Sequence, residues 1–330
     1  MKKVTLQTIA DKFGISKVAV HKALTGKKGV SDKLRKEIVA YADSVHYKLK
    51  SAKVDVDNKR FIFFVNQDFF LTPSEQFYST IFYFLSAECN RIGSTLQVAF
   101  LHQSNAIQTI QQATASFKPD GLFFVGQLDS DAMRHIRTLD VPTVFIDYHV
   151  PKGGVSSVYI NHYDAGYRLT SYLIESGHED IGFIGNTGST SAIMDRYFGY
   201  RKALLQAGLA FRENRHLNSN VEQDNPNLTF QRENLPSAYV CHCDAAAQWL
   251  YAWLSSNGMR IPQDVSIVSF DDTMLCDSLL PRLTSLGPNK ERFAKLAFHQ
   301  MLELLRNPDN TSQTRLEPSL STRESVLLLL

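Results

Sequence analysis

Apolar residues recur at helical spacing within the first 45 positions of the chain. Three stretches each place their apolar side chains on one face of a helix with about 3.6 residues per turn, and polar side chains occupy the other faces. The apolar faces comprise Leu6, Ile9, Ala10 and Phe13, then Val20, Ala23 and Leu24, and last Leu34, Ile38, Tyr41 and Val45. The pattern therefore predicts three short helices closed around one small core.

The residues between these stretches indicate where each helix begins. Thr5, Ser16 and Ser31 stand directly before a helix, where a hydroxyl accepts a hydrogen bond from a backbone N–H further along. Gly14 can adopt the positive φ of a tight turn, and Ile15 after it returns to the core. Two short helices joined at a glycine turn predict a helix-turn-helix motif.

Charge divides the chain into two unlike parts. Residues 1–60 contain 15 Lys and Arg against 6 Asp and Glu, a net charge of +9, whereas the remaining residues carry −7. Asymmetry of this kind favours contact with nucleic acid. The outward face of the second helix carries Lys17, Val18, His21 and Lys22, so we predict that its N-terminal end enters the major groove of double-stranded DNA. The alternative is a basic helical domain that faces solvent.

After residue 60 the period of the pattern changes. Seven short β-rich runs alternate with amphipathic helices, and they lie at 61–65, 95–101, 121–125, 143–147, 181–185, 238–241 and 265–270. Near-continuous apolar strands of this kind indicate parallel sheets covered on both faces. We predict an α/β body of two doubly wound lobes. Polar residues that follow the strands, such as Asp147, Asn161, Asp271 and Asp272, are candidates for a ligand site in the cleft.

Composition and motifs exclude several classes of protein. Hydrophobic residues make up 44% of the 330, but no apolar run approaches the length of a membrane span. Polar residues interrupt the N-terminal stretch, which therefore lacks a signal-peptide core, and we expect a cytoplasmic protein without membrane contact. Cys241 and Cys243 have no second ligand pair, so buried thiols are expected rather than a metal site. No P-loop, nucleophile elbow or dinucleotide-binding loop occurs, which predicts neither an enzyme nor a cofactor.

Seven longer blocks of sequence carry a specific resemblance to a known family. They are VTLQTIADKFGISKVAVHKALTG at 4–26, GVS at 29–31, GHEDIGFIG at 177–185, DRYFGYRKAL at 195–204, IPQDVSIVSFDD at 261–272, PRLTSL at 281–286 and TRES at 322–325. In this order they resemble the LacI/GalR family of bacterial transcription regulators. The resemblance implies a homodimer with a helix-turn-helix, a short hinge and a periplasmic-binding-protein-like body. A small effector, commonly a sugar or a nucleoside-type metabolite, would lie between the two lobes of that body.

The resemblance also assigns residues to operator DNA. Lys17 and Val18 stand where the family reads bases, and His21 where a small hydroxyl side chain normally meets phosphate. Lys22 stands where arginine or another groove-facing residue is usual, so we predict a preference for guanine, with a phosphate contact as the alternative. Val18 is expected to meet a thymine methyl group. The candidate DNA contacts are Thr5, Ser16, Lys17, Val18, His21, Lys22, Lys27 and Ser31.

A second set of residues is assigned to the effector. Arg196 and Asp271 match effector-contacting residues of the family, and Asp147 ends a predicted strand. A guanidinium suits adjacent hydroxyls or a carboxylate, and a structural ion pair among these residues is the alternative. The candidate effector-binding residues are Phe70, Phe77, Tyr78, Asp147, Asn161, Arg196, Asp244 and Asp271. The aromatic members form a stacking wall for a sugar or belong to the core.

The sequence departs from the family pattern in the hinge. We divide the chain into a DNA-binding domain at 1–48, a hinge at 49–60 and a two-lobed body at 61–330. The hinge has no proline, and its only arginine is its last residue. It carries aspartates, whose charge repels DNA phosphates. Val54 and Val56 are the candidates for insertion into the minor groove, and a plain linker is the alternative.

A second departure concerns the ligand and leaves a rival function open. The residue before Asp244 is Cys243, where the family usually has asparagine, so the usual sugar is in question. An extracytoplasmic sugar-binding transport protein would share the two-lobed body, but the basic N-terminal part disfavours it. The sequence therefore predicts a DNA-binding regulator controlled by a small ligand, with such a transport protein as the alternative.

Overall fold

The chain forms two compact units, Met1–Asp55 and Val56–Leu330. A computed structural model describes residues 4–24, 29–45, 47, 56–71, 76–102, 105–150, 154–218 and 234–329. None of the helices within these ranges is long and apolar enough to cross a membrane.

The described residues of the first unit form three helices. They are α1 (Leu6–Phe13), α2 (Lys17–Leu24) and α3 (Asp32–Ser44). Their buried residues share one cluster, formed by Ile9, Ala10, Val20, Ala23, Ile38 and Ala42, with partly buried neighbours that include Phe13, Leu34 and Tyr41. Gly14 ends α1 at φ 63°, a left-handed conformation that glycine adopts at no steric cost. The predicted three-helix core and glycine turn are therefore confirmed.

Where the structure describes it, the second unit forms two six-stranded sheets. The first sheet has the order β11-β5-β4-β3-β1-β2 and consists of β1 (Arg60–Asn66), β2 (Thr95–Leu101), β3 (Gly121–Val125), β4 (Thr143–Ile146), β5 (Ser156–Ile160) and β11 (Gln313–Leu316). The second has the order β12-β10-β9-β8-β6-β7 and consists of β6 (Ile181–Ile184), β7 (His216–Leu217), β8 (Ala238–Cys241), β9 (Ser266–Phe270), β10 (Thr284–Gly287) and β12 (Ser319–Ser321). Of the described strand pairs, only β10 with β12 is antiparallel.

Helices cover both faces of each sheet. They are α4 (Asp68–Leu71), α5 (Phe77–Arg91), α6 (Ala106–Phe117), α7 (Ser130–Ile136), α8 (His162–Glu175), α9 (Ser191–Gln206), α10 (Asp244–Ser256), α11 (Leu275–Ser278) and α12 (Lys290–Arg306). Along β1, Phe61 and Phe63 belong to a cluster with residues of α5 and α12, while Ile62 and Phe64 belong to one with residues of α6 and α7. Alternate residues of one strand thus enter two cores, as a doubly wound sheet requires.

We call the part around the first sheet lobe 1 and the part around the second sheet lobe 2. The chain passes between them three times, after β5, after β10 and after β11. Helix α8 therefore begins lobe 2 directly after the last residues of β5, and α12 returns to pack on lobe 1. This arrangement confirms the predicted α/β body of two doubly wound lobes.

All seven predicted strands are present: three have the predicted bounds, and the other four differ by one residue at one or both ends. The sequence reasoning did not identify β5, β7, β10, β11 or β12. Several of these strands are rich in serine and threonine, whose hydroxyls are bonded inside the fold, as Ser157 Oγ is to Gln313. The four cysteines are buried free thiols, as expected. Burial raises the pKa of Cys89 to about 12, which keeps this thiol protonated.

Candidate functional site

The exposed face of α2 carries the candidate base-reading residues. Lys17 is exposed and the Val18 side chain is 62% exposed, while His21 and Lys22 are half-buried. Val20 and Ala23 of the same helix are buried in the three-helix core. One side of α2 is thus fixed by packing, and an apolar side chain is left in solvent at its N-terminal end. A large exposed apolar residue beside a lysine is what contact with a base edge would use.

The candidate hydroxyl residues cap the helices. Thr5 Oγ1 accepts a hydrogen bond from the N–H of Thr8 at 3.2 Å, and Thr8 Oγ1 accepts one from the N–H of Thr5 at 3.2 Å, which together form a capping box. Ser16 Oγ accepts the N–H of Ala19 at 3.1 Å, and Ser31 Oγ accepts the N–H of Leu34 at 3.4 Å. All three capping residues were predicted. Their role toward DNA stays a prediction, and Lys27 and Val54 lie outside the described residues. Val56 is half-buried in a segment without regular structure.

A cavity of about 1070 Å³ lies in the second unit, between the two lobes. Lobe 1 contributes residues that follow strand ends, and lobe 2 contributes the start of α9. Polar and aromatic residues of the lining include Asn66, Asp68, Phe69, Tyr78, His102, Gln127, Asp129, Asp147, Tyr148, His149, His162, Ser189, Thr190, Ser191 and Asp195. This volume and this mixed lining are typical of a site for a small polar molecule.

Asp147 is the most buried of the aspartates that line the described cavity. It follows β4 with φ 58°, a left-handed backbone that aspartate tolerates better than most residues. Tyr78 donates its hydroxyl to Asp147 Oδ2 at 3.0 Å, and His162 Nε2 lies 3.2 Å from Oδ1. Burial and, next, the negative charge of Asp147 raise the pKa of Tyr78 well above its ordinary value, so the phenol stays a donor. The pair fixes a carboxylate at the floor of the cavity.

Arg196 is buried next to His162 and joins several polar groups. Its Nε donates to His162 Nδ1 at 3.2 Å, Nη1 donates to the carbonyl of His242, and Nη2 lies 3.5 Å from Asp271 Oδ1. Its guanidinium also lies 4.5 Å from the centre of the Phe270 ring. Arg196 thus connects α9 to the beginning of α8 and to the end of β9.

Asp271 ends β9 in a buried setting. Desolvation raises its pKa to about 6, although the charge of Arg196 acts in the opposite direction. Lys290 donates to the carbonyls of Asp271 and Asp272 from the first turn of α12. Arg196 and Asp271 thus lie as an ion pair, and neither residue lines the described cavity. Their contact with an effector remains a prediction, with the structural ion pair as the alternative.

The remaining effector candidates also lie outside the described cavity lining. Asp244 is buried and accepts hydrogen bonds from the hydroxyls of Ser269 and Ser285 and from both the N–H and the hydroxyl of Thr273. Asn161 caps α8, because its Oδ1 accepts the N–H of Asp164 at 3.1 Å. These bonds give both side chains a structural task.

Phe70 and Phe77 pack in the core of lobe 1. The ring of Phe70 contacts those of Phe63 and Phe82, and Phe77 lies against Phe293. The core alternative therefore describes these two rings, whereas Tyr78 and Asp147 do line the cavity. Their contact with an effector remains a prediction.

Several cavity residues were not found from the sequence. His102 and Gln127 follow β2 and β3 closely, so the rule that ligands bind beyond strand ends would have identified them. His162 and Asp195 lie on α8 and α9, and no local pattern distinguishes them from other helical residues. They reach the cavity because the two helices cross closely at Gly166 and Gly199, a long-range contact that the sequence does not display.

Comparisons with known proteins agree with this architecture. Residues 170–326 match the family described as periplasmic binding protein-like domain. The chain is 25% identical over 98% of its length to the HTH-type transcriptional repressor PurR of Vibrio campbellii, and 26% identical over 98% to the ribose operon repressor of Haemophilus influenzae. The match covers 98% of the first relative and 99% of the second.

Solved structures show the same fold. A transcriptional regulator, CelR, in complex with cellobiose matches 98% of this chain and all of that chain, at 21% identity and a TM-score of 0.68. A LacI-family regulator from Enterococcus faecium with bound ribose matches 82% of this chain and all of that chain, at 17% identity and a TM-score of 0.70.

The fold and the cavity define a two-lobed, periplasmic-binding-protein-like body that follows a helix-turn-helix unit. Relatives similar to the chain over almost its whole length are named as transcriptional repressors. These similarities support a resemblance of the chain to the LacI/GalR family of transcription regulators.

Proposed function

We propose that this protein is a repressor that binds operator DNA through α2 and is controlled by a small molecule bound between its two lobes. The observation that carries the proposal is the exposed face of α2, with Lys17 and Val18 in solvent above a closed three-helix core. The similarity to named repressors over nearly the full chain supports it. The relatives are regulators, and the proposal assigns the chain no catalytic role.

The DNA contacts divide by chemistry. Val18 meets a thymine methyl group, and Lys17 and Lys22 donate to base edges or to phosphates. The exposed caps Thr5, Ser16 and Ser31 lie at helix N-termini, where backbone N–H groups favour phosphate oxygens. His21 and Lys27 complete the set, and Val54 and Val56 belong to a linker between the DNA-binding and ligand-binding parts.

The ligand acts by preferring one arrangement of the lobes. A bound molecule shifts the protein only by its difference in affinity between the DNA-binding state and the other state, and DNA shifts ligand affinity by the same factor. A homodimer in the cytoplasm would present two copies of α2 to half-sites about one helical turn, 10 base pairs, apart. The relatives named for ribose and crystallised with cellobiose or ribose support a small polar effector.

Selection of bound sequences from random duplex DNA, followed by a salt titration, tests the proposal. We expect a palindromic motif and a steep loss of affinity with salt, since phosphate contacts release counterions. Lys17→Ala should weaken binding several-fold, whereas Lys295→Ala on the ligand-binding part removes the same charge and should change nothing. The proposal fails if no motif emerges, or if both variants bind like the parent. A ligand-binding protein without affinity for DNA would favour the transport-protein alternative.

A further inference from the structure

The cavity between the lobes is acidic. Its described lining includes four aspartates, Asp68, Asp129, Asp147 and Asp195, and among those described residues there is no lysine or arginine. The basic side chains in the described lining are histidines, which are largely neutral at pH 7 unless a neighbouring charge raises their pKa. A ligand that enters this cavity therefore meets an excess of negative charge.

Cations close to the cavity are matched by other carboxylates. Arg196 faces Asp271, and Lys290 donates to the carbonyls that follow β9. Asp244 contributes another buried negative charge near Asp271. The charges of Arg196 and Lys290 are thus balanced by those of Asp271 and Asp244, and these four residues supply no surplus positive charge to the aspartates of the cavity.

The bonding of His162 shows that Asp147 is not neutralised by a protonated imidazole. Arg196 Nε–H donates to His162 Nδ1, so Nδ1 carries a lone pair and the single ring proton is on Nε2. The ring is therefore neutral. Its Nε2 approaches Asp147 Oδ1 at 3.2 Å, yet neither atom has a hydrogen-bond partner among the described residues. Both side chains are more than nine-tenths buried and line the cavity.

An unbonded buried carboxylate oxygen is costly unless a ligand satisfies it. A second carboxylate, Asp195, is exposed on the opposite wall, at the start of α9. Desolvation raises the pKa of Asp195. The two walls thus present carboxylates toward the same space. By contrast, the exposed Asp129 accepts N–H bonds from Asp131 and Ala132 at the start of α7.

We propose that the effector is an organic cation, a hydroxylated small molecule whose protonated amine binds Asp147 Oδ1 and faces Asp195. This inference rests on the proposed ligand site and specifies its chemistry. An ammonium would form a charge-assisted hydrogen bond with Asp147. Hydroxyl groups of Ser189 and Ser191 line the walls and can bond the ligand's own hydroxyls. The amide oxygens of Asn66 and Gln127 accept backbone N–H bonds within the protein, so these two side chains would offer their NH2 groups as donors. A neutral sugar or an anion would leave the carboxylates uncompensated.

Matched probes test the charge preference on the full-length protein. Glucosamine carries the amine, glucose replaces it with a hydroxyl, and N-acetylglucosamine removes the charge by acetylation; galactosamine with galactose and spermidine extend the set. Thermal shift and calorimetry should show binding of at least one amine and an affinity at least about tenfold lower for its neutral analogue, as loss of a charged hydrogen bond implies. Equal binding of the neutral analogues, or no binding by any amine, overturns the proposal.

Variants of the cavity aspartates test which carboxylates cause the preference for an amine. Asp147→Asn should weaken amine binding about tenfold or more. Asp195→Asn, at an exposed position that does not endanger folding, should weaken it several-fold, and Asp309→Asn on the surface should leave it unchanged. Amine binding that survives both cavity variants refutes the proposal. Operator binding is measured separately, without any probe. Absence of operator binding would contradict the proposed function. Operator binding without amine binding would contradict only the proposed charge of the ligand.

Discussion

The close crossing of α8 and α9 should be sensitive to a single methyl group. Gly199 lies so near α8 that an added Cβ would be 2.1 Å from the carbonyl oxygen of Tyr163 and 2.6 Å from the backbone N of Tyr167. On the facing helix, a Cβ on Gly166 would be 2.1 Å from the carbonyl oxygen of Arg196. All three obstacles are backbone atoms, which cannot turn aside like a side chain. Gly199→Ala must therefore separate the helices by about 1 Å or more to restore normal contact distances.

The expected cost combines two opposing effects. Overpacking a core costs about 1–3 kcal/mol, and a backbone obstacle suggests the upper part of that range. Alanine has a higher helix propensity than glycine by about 1 kcal/mol, which offsets part of the loss. We expect Gly199→Ala to lower the free energy of unfolding by about 2 kcal/mol. The displaced α9 would also draw Arg196 and Asp195 away from His162, so ligand affinity should fall together with stability.

Urea denaturation of the full-length protein, monitored by far-ultraviolet circular dichroism, measures this loss. Gly188→Ala is the control, because its Cβ would meet only the side chain of Asn186 at 3.3 Å. We expect the control to unfold like the parent. If Gly199→Ala were as stable as the parent or more stable, the helices would not cross at the distance described, and the argument that this crossing positions the cavity residues would be refuted.

Three further predictions concern other parts of the molecule. Lys22→Ala should remove the base preference at one position of the selected operator motif. An equal loss of affinity for all sequences, with the slope of log affinity against log salt smaller by about 0.9, would instead assign Lys22 to a phosphate contact. Asp244→Asn should lower the free energy of unfolding by about 1–3 kcal/mol in urea, since an amide group would then face the donors of Ser269 and Thr273. Burial lowers the pKa of His178 and of His216, so the midpoints of their NMR titrations should lie below 6.5. The unfolded chain then binds these protons at a higher pH than the folded chain does. The free energy of unfolding should therefore fall as pH decreases through 6.5.

The helical unit was predictable because its signals are local. Each capping hydroxyl bonds an N–H three residues away, and the turn depends on the conformational freedom of Gly14 alone. Strands such as β1 and β3 were equally clear, since they are apolar along their whole length. By contrast, β10 contains Thr284 and Ser285, and these residues are fully buried only because their polar groups bond to Ser325 and Asp244, about 41 positions away in each case.

The candidate ligand site divides in the same way. Asp147 could be found because it ends a strand, and strand ends gather at one edge of a parallel sheet. The same rule selected Asn161 and Asp271, whose side chains instead cap a helix and pair with Arg196. The position of a residue relative to a strand is therefore a local property of the sequence. The group that its side chain bonds depends on segments that are distant in the sequence. Family resemblance does not remove this ambiguity, because a conserved type of residue can serve the ligand or the fold.

The polar groups under the cavity form a connected path between the lobes. Asp147 belongs to lobe 1, His162 begins α8 after the first crossing of the chain, and Arg196 and Asp271 belong to lobe 2. A cation bound at Asp147 Oδ1 would lie beside His162 Nε2, and His162 accepts a hydrogen bond from Arg196 at its other nitrogen. When one of these contacts changes, the neighbouring group must therefore change its own contacts, because each of these buried groups is costly when left unbonded. Through these contacts the ligand would shift the equilibrium between two arrangements of the lobes. The shift would be as large as the difference in how well the two arrangements bond Asp147, His162, Arg196 and Asp271.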